Sequence, residues 1–477
     1  MMREGEERME AQGGGAHPWM ANSTEEAKAA MLRAIGAPSI ESLFAQIPED
    51  HRFRGRLDLP PALASEVALK RHMLELLKKN SDCEQNLSFL GSGIWQHHVP
   101  AIVDEVVGRT EFLTSVWGTP SSDHGRNQAW FEFCSMLGEL VGMEFVGLPV
   151  YSWGCAIGNA VRMASRLNGR REVLVPAGMD PERLEVLKQY CEPEGSHGHI
   201  AVVPVAWEAA SGMLDMADLK AKLSSRTAAV YIENPGSFGV VEARGAEIGK
   251  LARAAGAEFI VGVDPISLGV LAPPAEYGAD IVVGTIQTLG AHMMAGGGAG
   301  GFIASRDEER YAREYPTLNI SIAPTDRPGE HGFALSLAHQ SSYGMREEGK
   351  DWTGNSVYLT TIGCAAYMAL LGPQGFREVG EVILQRSHHA AKVLGGIKGL
   401  RVAFPCGFFK EFVVNFDGTG RTVAQVNAAL RAKGIFGGRD LSADFPALGQ
   451  SALYAVTEVH TAEDIARLAG ALQEIVA

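Results

Sequence analysis

Four apolar runs, Glu172–Val175, Ile200–Val203, Thr227–Ile232 and Phe259–Val263, are spaced along the middle of the chain, with helical patterns such as Asp215–Leu223 and Ala246–Ala255 between them. A fifth run, Ala279–Val283, follows closely. Strands that alternate with helices restrict a chain to an α/β fold, a mostly parallel sheet wrapped by helices. The fourth run ends on Asp264. An acid at the carboxyl end of a buried strand sits where open α/β sheets place their ligands.

The segments on either side have a different character. With 477 residues the chain is expected to form two or three domains. Residues 1–20 are polar and Gly-rich and read as a disordered tail. Residues 21–80 read as a helical arm. Ser23 or Thr24 offers an N-cap, Gly36 a stop, and Pro60-Pro61 a break before the helix Ala64–Lys79. Residues 81–345 hold the α/β alternation. From 346 to 477 a smaller α+β domain is expected: a helix Asn355–Leu371 ended by Gly372-Pro373, a second helix Phe376–Leu394, a period-two strand FFKEFVVNF, a helix, the strand SALYAVTEV and a last helix Ala462–Ile475.

A net charge of −14 argues against nucleic-acid or anionic-membrane partners, which need a basic face. Six scattered cysteines without a CxxC pair fit free thiols in a reducing compartment. With neither a secretory leader nor a membrane-length apolar run, the expected location is cytoplasmic.

The chemistry centres on Asp264. Alone, a strand-end Asp is as readily a turn cap. Two strands joined by a helix, the second ending on Asp, also place a carboxylate under a cofactor ring. In pyridoxal-phosphate enzymes such an Asp holds the ring nitrogen protonated, and a lysine after a nearby strand holds the cofactor covalently. No lysine occurs between Lys250 and Lys350, and the expected slot reads Gln287-Thr288. The turn around Ser152, Gly154 and Cys155 opens a helix whose N-terminus could hold a phosphate. The Gly296–Gly301 run lacks the GK[ST] ending of a P-loop and reads as an inter-strand turn. His97, His98, His124 and His292 lack metal-ligand spacing, so no metal is expected. The polar loop Trp117–Arg126, with Asp123, His124 and Arg126, is a candidate functional loop. Lys350 and Lys410 are the alternative lysines, in contexts that read as a polar loop and a strand start.

The runs MLRAIGAPSIESLFAQIP, FLGSGIWQHHVPAIVDEVVGRTEFLT, VDPISLGVLAPPAEYGADIVVGTIQTLG and LLGPQGFREV, in that order, resemble the P-protein family of the glycine cleavage system in its two-chain form, on the alpha-chain side. The resemblance extends from about Glu25 to the C-terminus. It implies the aminotransferase-like fold of pyridoxal-phosphate enzymes (fold type I). It also implies that pyridoxal phosphate is held mainly by a lysine-bearing beta chain, glycine dehydrogenase subunit 2. The implied complex decarboxylates glycine or a related small amine and passes the aminomethyl group to a lipoyl carrier (H) protein. Within this chain, Asp264, Gly154, Cys155, Ser152 and His292 are then a relic or partial cofactor site. Asp123, His124, Arg126 and His98 are the candidates for direct help in catalysis. Three segments depart from the family's pattern, at Trp117–Gly125, Tyr151–Gly154 and Asp351–Asn355, and mark a diverged branch. The alternatives are a structural or regulatory pseudoenzyme and a stand-alone lyase.

Overall fold

The computed structural model describes residues 16, 19–55, 57–63, 65–112, 124–294, 299–340, 342–350 and 357–477. The chain divides into two compact units, Met1–Asn80 and Ser81–Ala477.

The first unit carries helices α1 (Glu25–Ile35) and α2 (Glu66–Leu77). The Thr24 hydroxyl accepts the Ala27 N–H at the start of α1, and Gly36, at φ +69°, closes it in the left-handed region. Ser65 caps α2 in the same way. Neither helix has a buried residue, and Met31, Ile35, Leu69, Met73 and Leu76 stay exposed.

The second unit begins with β1 (Leu87–Ser88), α3 (Ala101–Val107) and α4 (His124–Val141). There follow β2 (Phe145–Val146), α5 (Trp153–Asn168), β3 (Glu172–Pro176), α6 (Pro181–Tyr190), β4 (Ala201–Val205), α7 (Met216–Lys222), β5 (Thr227–Glu233), α8 (Gly245–Ala254), β6 (Glu258–Val263), β7 (Ile281–Thr285) and β8 (Gly301–Ser305). A hairpin, β9 (Asn319–Pro324) and β10 (His331–Ser336), leads to the long helix α9 (Tyr358–Gly395). The chain ends with β11 (Arg401–Val402), β12 (Glu411–Asn415), α10 (Val423–Ala432), β13 (Ile435–Phe436), β14 (Arg439–Asp440), β15 (Ser451–Ala455) and α11 (Ala462–Val476).

Seven strands form the main sheet in the order β2-β8-β7-β6-β5-β3-β4. β7 to β4 run parallel, and at one edge β8 pairs antiparallel with β7 and β2 antiparallel with β8. All residues of β5, β6 and β7 are buried, which accounts for their unbroken apolar sequence. Successive residues serve opposite faces. Val230, Ile232, Val261 and Val282 pack with α4, α8 and α9, whereas Ala229, Tyr231, Ile260 and Val283 pack under α5. The result is a helix–sheet–helix sandwich of the expected α/β class. A second sheet, β11-β12-β15-β14, is antiparallel, with α10, α11 and the end of α9 on one face. Gly372 interrupts α9 at φ +57°, where the Gly-Pro pair signalled a stop.

The parallel strands run outward from β3 to β4 and then return to the other side of β3 with β5, β6 and β7. That reversal leaves a crevice at their carboxyl ends.

Candidate functional site

Asp264 ends β6 at this crevice and turns the chain. Its Oδ1 accepts the Ile266 N–H at 3.3 Å. Its Oδ2 lies 2.7 Å from Nζ of Lys410, with the two side chains only 5% and 3% exposed. Lys410 immediately precedes β12 and therefore reaches the crevice from the second sheet. Its Nζ also meets His97 Nε2 at 3.0 Å and sits 3.4 Å from the centre of the Trp95 ring, a cation–π contact. His97 Nδ1 is 2.8 Å from Glu458 Oε2, and Glu458 Oε1 accepts the His98 backbone N–H at 2.8 Å. Lys410 thus faces a carboxylate as an ion pair, an imidazole nitrogen and an aromatic ring at once.

Burial pushes Lys410 below the ordinary lysine range, and the charges of Asp264, Glu411 and Glu458 oppose that fall. Burial would lift Glu458, but the charge and hydrogen bond of His97, with the His98 N–H, outweigh it and hold the carboxyl at about 2. Glu411, next along the strand, points elsewhere. Its Oε1 accepts the Ser92 N–H at 2.6 Å, and burial raises its carboxyl despite that bond and one from Trp95.

Trp153, the first residue of α5, completes the group. The Arg183 guanidinium lies 4.4 Å from its ring centre. Its Nε1 is 3.1 Å from where a Cβ on Gly262 would stand, so the indole rests on β6 two residues before Asp264. Arg183 is fixed by Glu233, at the end of β5, through two bonds of 2.9 Å. The cavity left among Trp95, Trp153, Arg183, Asp264 and Lys410 is about 20 Å³, room for a single water.

Gln287 is buried just beyond β7, and its amide is fully used. Nε2 donates to the carbonyls of Trp95 (3.0 Å) and Ala291 (3.2 Å), and Oε1 accepts the Trp95 N–H at 3.2 Å. Thr288 beside it is fully buried as well.

The other sequence-derived candidates are dispersed. The Ser152 hydroxyl accepts the Cys155 N–H at 3.2 Å, so it is engaged by its own helix, and Gly154 is packed under Val186. Ser152 and Gly154 line a cleft of about 140 Å³ with Thr285 and Gly300. His292 does not join Asp264. The chain leaving β7 carries it outward, and its Nε2 pairs with Asp104 Oδ1 at 2.9 Å where both side chains are about 60% exposed. It lines a separate cleft of about 420 Å³ with His97 and Gln287. His98 contributes its backbone, and its side chain is exposed. Arg126 is buried in α4 over the Trp130 ring, at 5.3 Å. Asp123, the rest of the loop from Trp117, the side chain of His124 and the segment 351–356 lie outside the described residues.

Lys350 pairs with Glu314 at 3.3 Å. Lys410 stands just before a strand, close to where its context indicates, and it is the partner of Asp264. The roles of Trp95, Arg183 and Glu458 were also missed. One signal was present: a Lys-Glu pair inside the apolar run FFKEFVVNF demands buried partners. Among the described residues no group of three or more His, Cys, Asp or Glu could hold a metal ion, and no helix is long and apolar enough to cross a membrane.

A sequence profile described as "Glycine cleavage system P-protein" matches residues 19–472. The chain is 35% identical over 469 residues to "Probable glycine dehydrogenase (decarboxylating) subunit 1" of Staphylothermus marinus, covering 97% of this chain and 98% of that one. The protein of the same description from Pyrococcus furiosus is 37% identical over 453 residues, covering 94% and 97%. A crystal structure of glycine decarboxylase (P-protein) of the glycine cleavage system, in inhibitor-bound form, superposes with a TM-score of 0.84 at 34% identity, covering 95% of this chain and 98% of that one. A NifS-like protein, 14% identical with a TM-score of 0.58 and covering 82% of this chain and 99% of its own, shares the fold.

Pyridoxal phosphate, the cofactor associated with this fold, does not fit the residues present. Asp264 is already neutralised by Lys410, no lysine stands between Lys250 and Lys350, and the cavity beside Asp264 admits one water.

Proposed function

The chain belongs to the P-protein family of the glycine cleavage system, and from that premise we propose that it is the lysine-lacking subunit of a split glycine dehydrogenase (decarboxylating). Its partner is a second chain that carries the cofactor lysine and holds pyridoxal phosphate. Together they decarboxylate glycine, or a related small amine, and hand the aminomethyl group to a lipoyl carrier protein. The observation that carries the reading is Gln287. Where a lysine would hold the cofactor, a buried amide instead ties the chain to the backbone of Trp95 through two hydrogen bonds and to that of Ala291 through a third. The description "subunit 1" of the relatives and the exposed apolar residues of α1 and α2 support a partner chain.

In this reading the chain's own residues do two kinds of work. Asp264, Lys410, His97 and Glu458 hold the crevice rigid. Asp123 and His124, with His98, are offered to the partner's site, and the buried Arg126 anchors the loop that carries them. A second reading, a purely structural subunit, is favoured by how completely Gln287 and Asp264 are engaged within the chain.

The experiment is reconstitution with the lysine-bearing chain and a lipoyl carrier, following glycine-dependent CO2 release. Each chain alone is expected to be inactive and the pair active. Full turnover by this chain alone refutes the proposal. Replacing Asp123, His124 and Arg126 together separates the readings: lost turnover in an intact pair supports direct help, and unchanged turnover supports the structural role.

A further inference from the structure

A phosphorylated pyridine ring placed in this crevice has to span from the N-terminus of α5, where its phosphate would be held, to Asp264, which pairs with the ring nitrogen. That span is taken by the chain itself. Trp153 stands at the start of α5, its indole Nε1 reaches β6 at Gly262, two residues before Asp264, and Trp153 and Asp264 line the same small cavity. One face of the indole is covered by Arg183, which Glu233 holds in place. At the far end, the positive charge that a protonated ring nitrogen would bring to Asp264 is supplied by Lys410.

We propose that Trp153 and Lys410 form an internal plug, the indole in the ring's place and the ammonium in the place of the protonated nitrogen, and that this plug excludes pyridoxal phosphate from the chain independently of the missing lysine. The two defences differ in kind. Gln287 removes the covalent anchor but leaves non-covalent binding open. The plug closes the space and satisfies the carboxylate. A ring could enter only by pulling Lys410 away from Asp264, His97 and the Trp95 face, stranding a buried ammonium. Restoring a lysine after β7 is therefore not enough to restore a cofactor site.

The test uses the isolated full-length chain and needs no partner, so failure of the subunit pairing proposed above leaves it unaffected. Gln287→Lys and Thr288→Lys are made singly, and each again together with Trp153→Ala and Lys410→Met. Each protein is checked for folding by circular dichroism, mixed with pyridoxal phosphate, and treated with borohydride. Borohydride traps the imine that a lysine amine forms with the aldehyde upon loss of water. Peptide mass mapping locates the adduct. No stoichiometric adduct at position 287 or 288 is expected in the single variants, and one is expected in at least one of the two triple variants. An adduct in either single variant, or at Lys410 of the unaltered chain, overturns the plug, as does its absence from both triple variants when they are folded. Should the triple variants not fold, acetic anhydride labelling of the unaltered chain decides. Lys410 is expected to react slower than the exposed Lys188 and Lys220 by about tenfold or more, unchanged by pyridoxal phosphate. Equal reactivity, or protection of Lys410 by the cofactor, overturns it.

Discussion

Replacing Lys410 by Met tests whether the crevice is held by a charge balance or by packing. At 2.7 Å, and an effective dielectric of ~20, the Lys410–Asp264 attraction is about 6 kcal/mol. Withdrawing both ions from water costs several kcal/mol for each, so the pair is close to neutral in net stability. Lys410→Met keeps the length of the side chain and leaves Asp264 buried without its cation, which costs about 3–5 kcal/mol. Asp264→Asn keeps an oxygen for the Ile266 N–H and strands Lys410 instead, at a similar cost. The double variant removes both charges, and most of the loss is expected to return. With an unfolding entropy of ~2.1 cal/mol/K per residue over a unit of roughly 400 residues, each single change lowers Tm by about 4–6 °C. Differential scanning calorimetry of the four proteins at pH 7 gives the cycle. A Lys410→Met protein as stable as the parent, or a double variant no better than the worse single, refutes the reasoning.

Glu458 sets the acid limit of the same network. Its folded-state value of about 2 lies below the ordinary 4.5, so its stabilisation is fully present above pH 4.5 and is lost as pH falls towards 2. Glu458→Gln is expected to lose about 3 kcal/mol at pH 7, with the gap to the parent closing below pH 4.5; parallel Tm–pH curves contradict this. Arg183→Met leaves Glu233 buried without its bidentate partner and is expected to cost about 3–5 kcal/mol by chemical denaturation, with Glu233→Gln restoring part of it. Two glycines separate strain from collision. Gly239, at φ +82°, has no room for a Cβ beside the Glu411 carbonyl, so Gly239→Ala is expected to cost about 3 kcal/mol or more. Gly169, at φ +72° with open space around it, is expected to cost only about 1 kcal/mol on Gly169→Ala. Equal thermal shifts for the two set that distinction aside.

What could be read from the residues was whatever is local. The apolar runs marked β3, β5, β6 and β7 because strands buried on both faces cannot hide their composition, and Thr24, Gly36 and Gly372 marked helix ends through backbone chemistry confined to a few positions. Asp264 and the Gln287 slot were legible for the same reason, each being fixed by the strand before it. Lys410 was not, because its partner lies 146 positions earlier, and pairing between sheets leaves no local trace. His97 and His98 looked alike in the chain, yet only one ring turns inward, to lie between Lys410 and Glu458. Placing His292 at the cofactor site failed because the segment after β7 carries the side chain to the surface.

Lys410 immediately precedes β12 and Glu411 begins it, and their side chains face opposite ways. The cation meets Asp264, and the acid meets the backbone of Ser92. Were β12 to join the growing structure one residue out of step in one direction, Glu411 would be presented to Asp264, acid against acid, and a slip in the other direction would thrust Lys410 at the Ser92 N–H, donor against donor. The two-letter sequence Lys-Glu thus acts as a keyed connector, one that lets the second sheet dock on the first in a single alignment and rejects the nearest wrong one by charge.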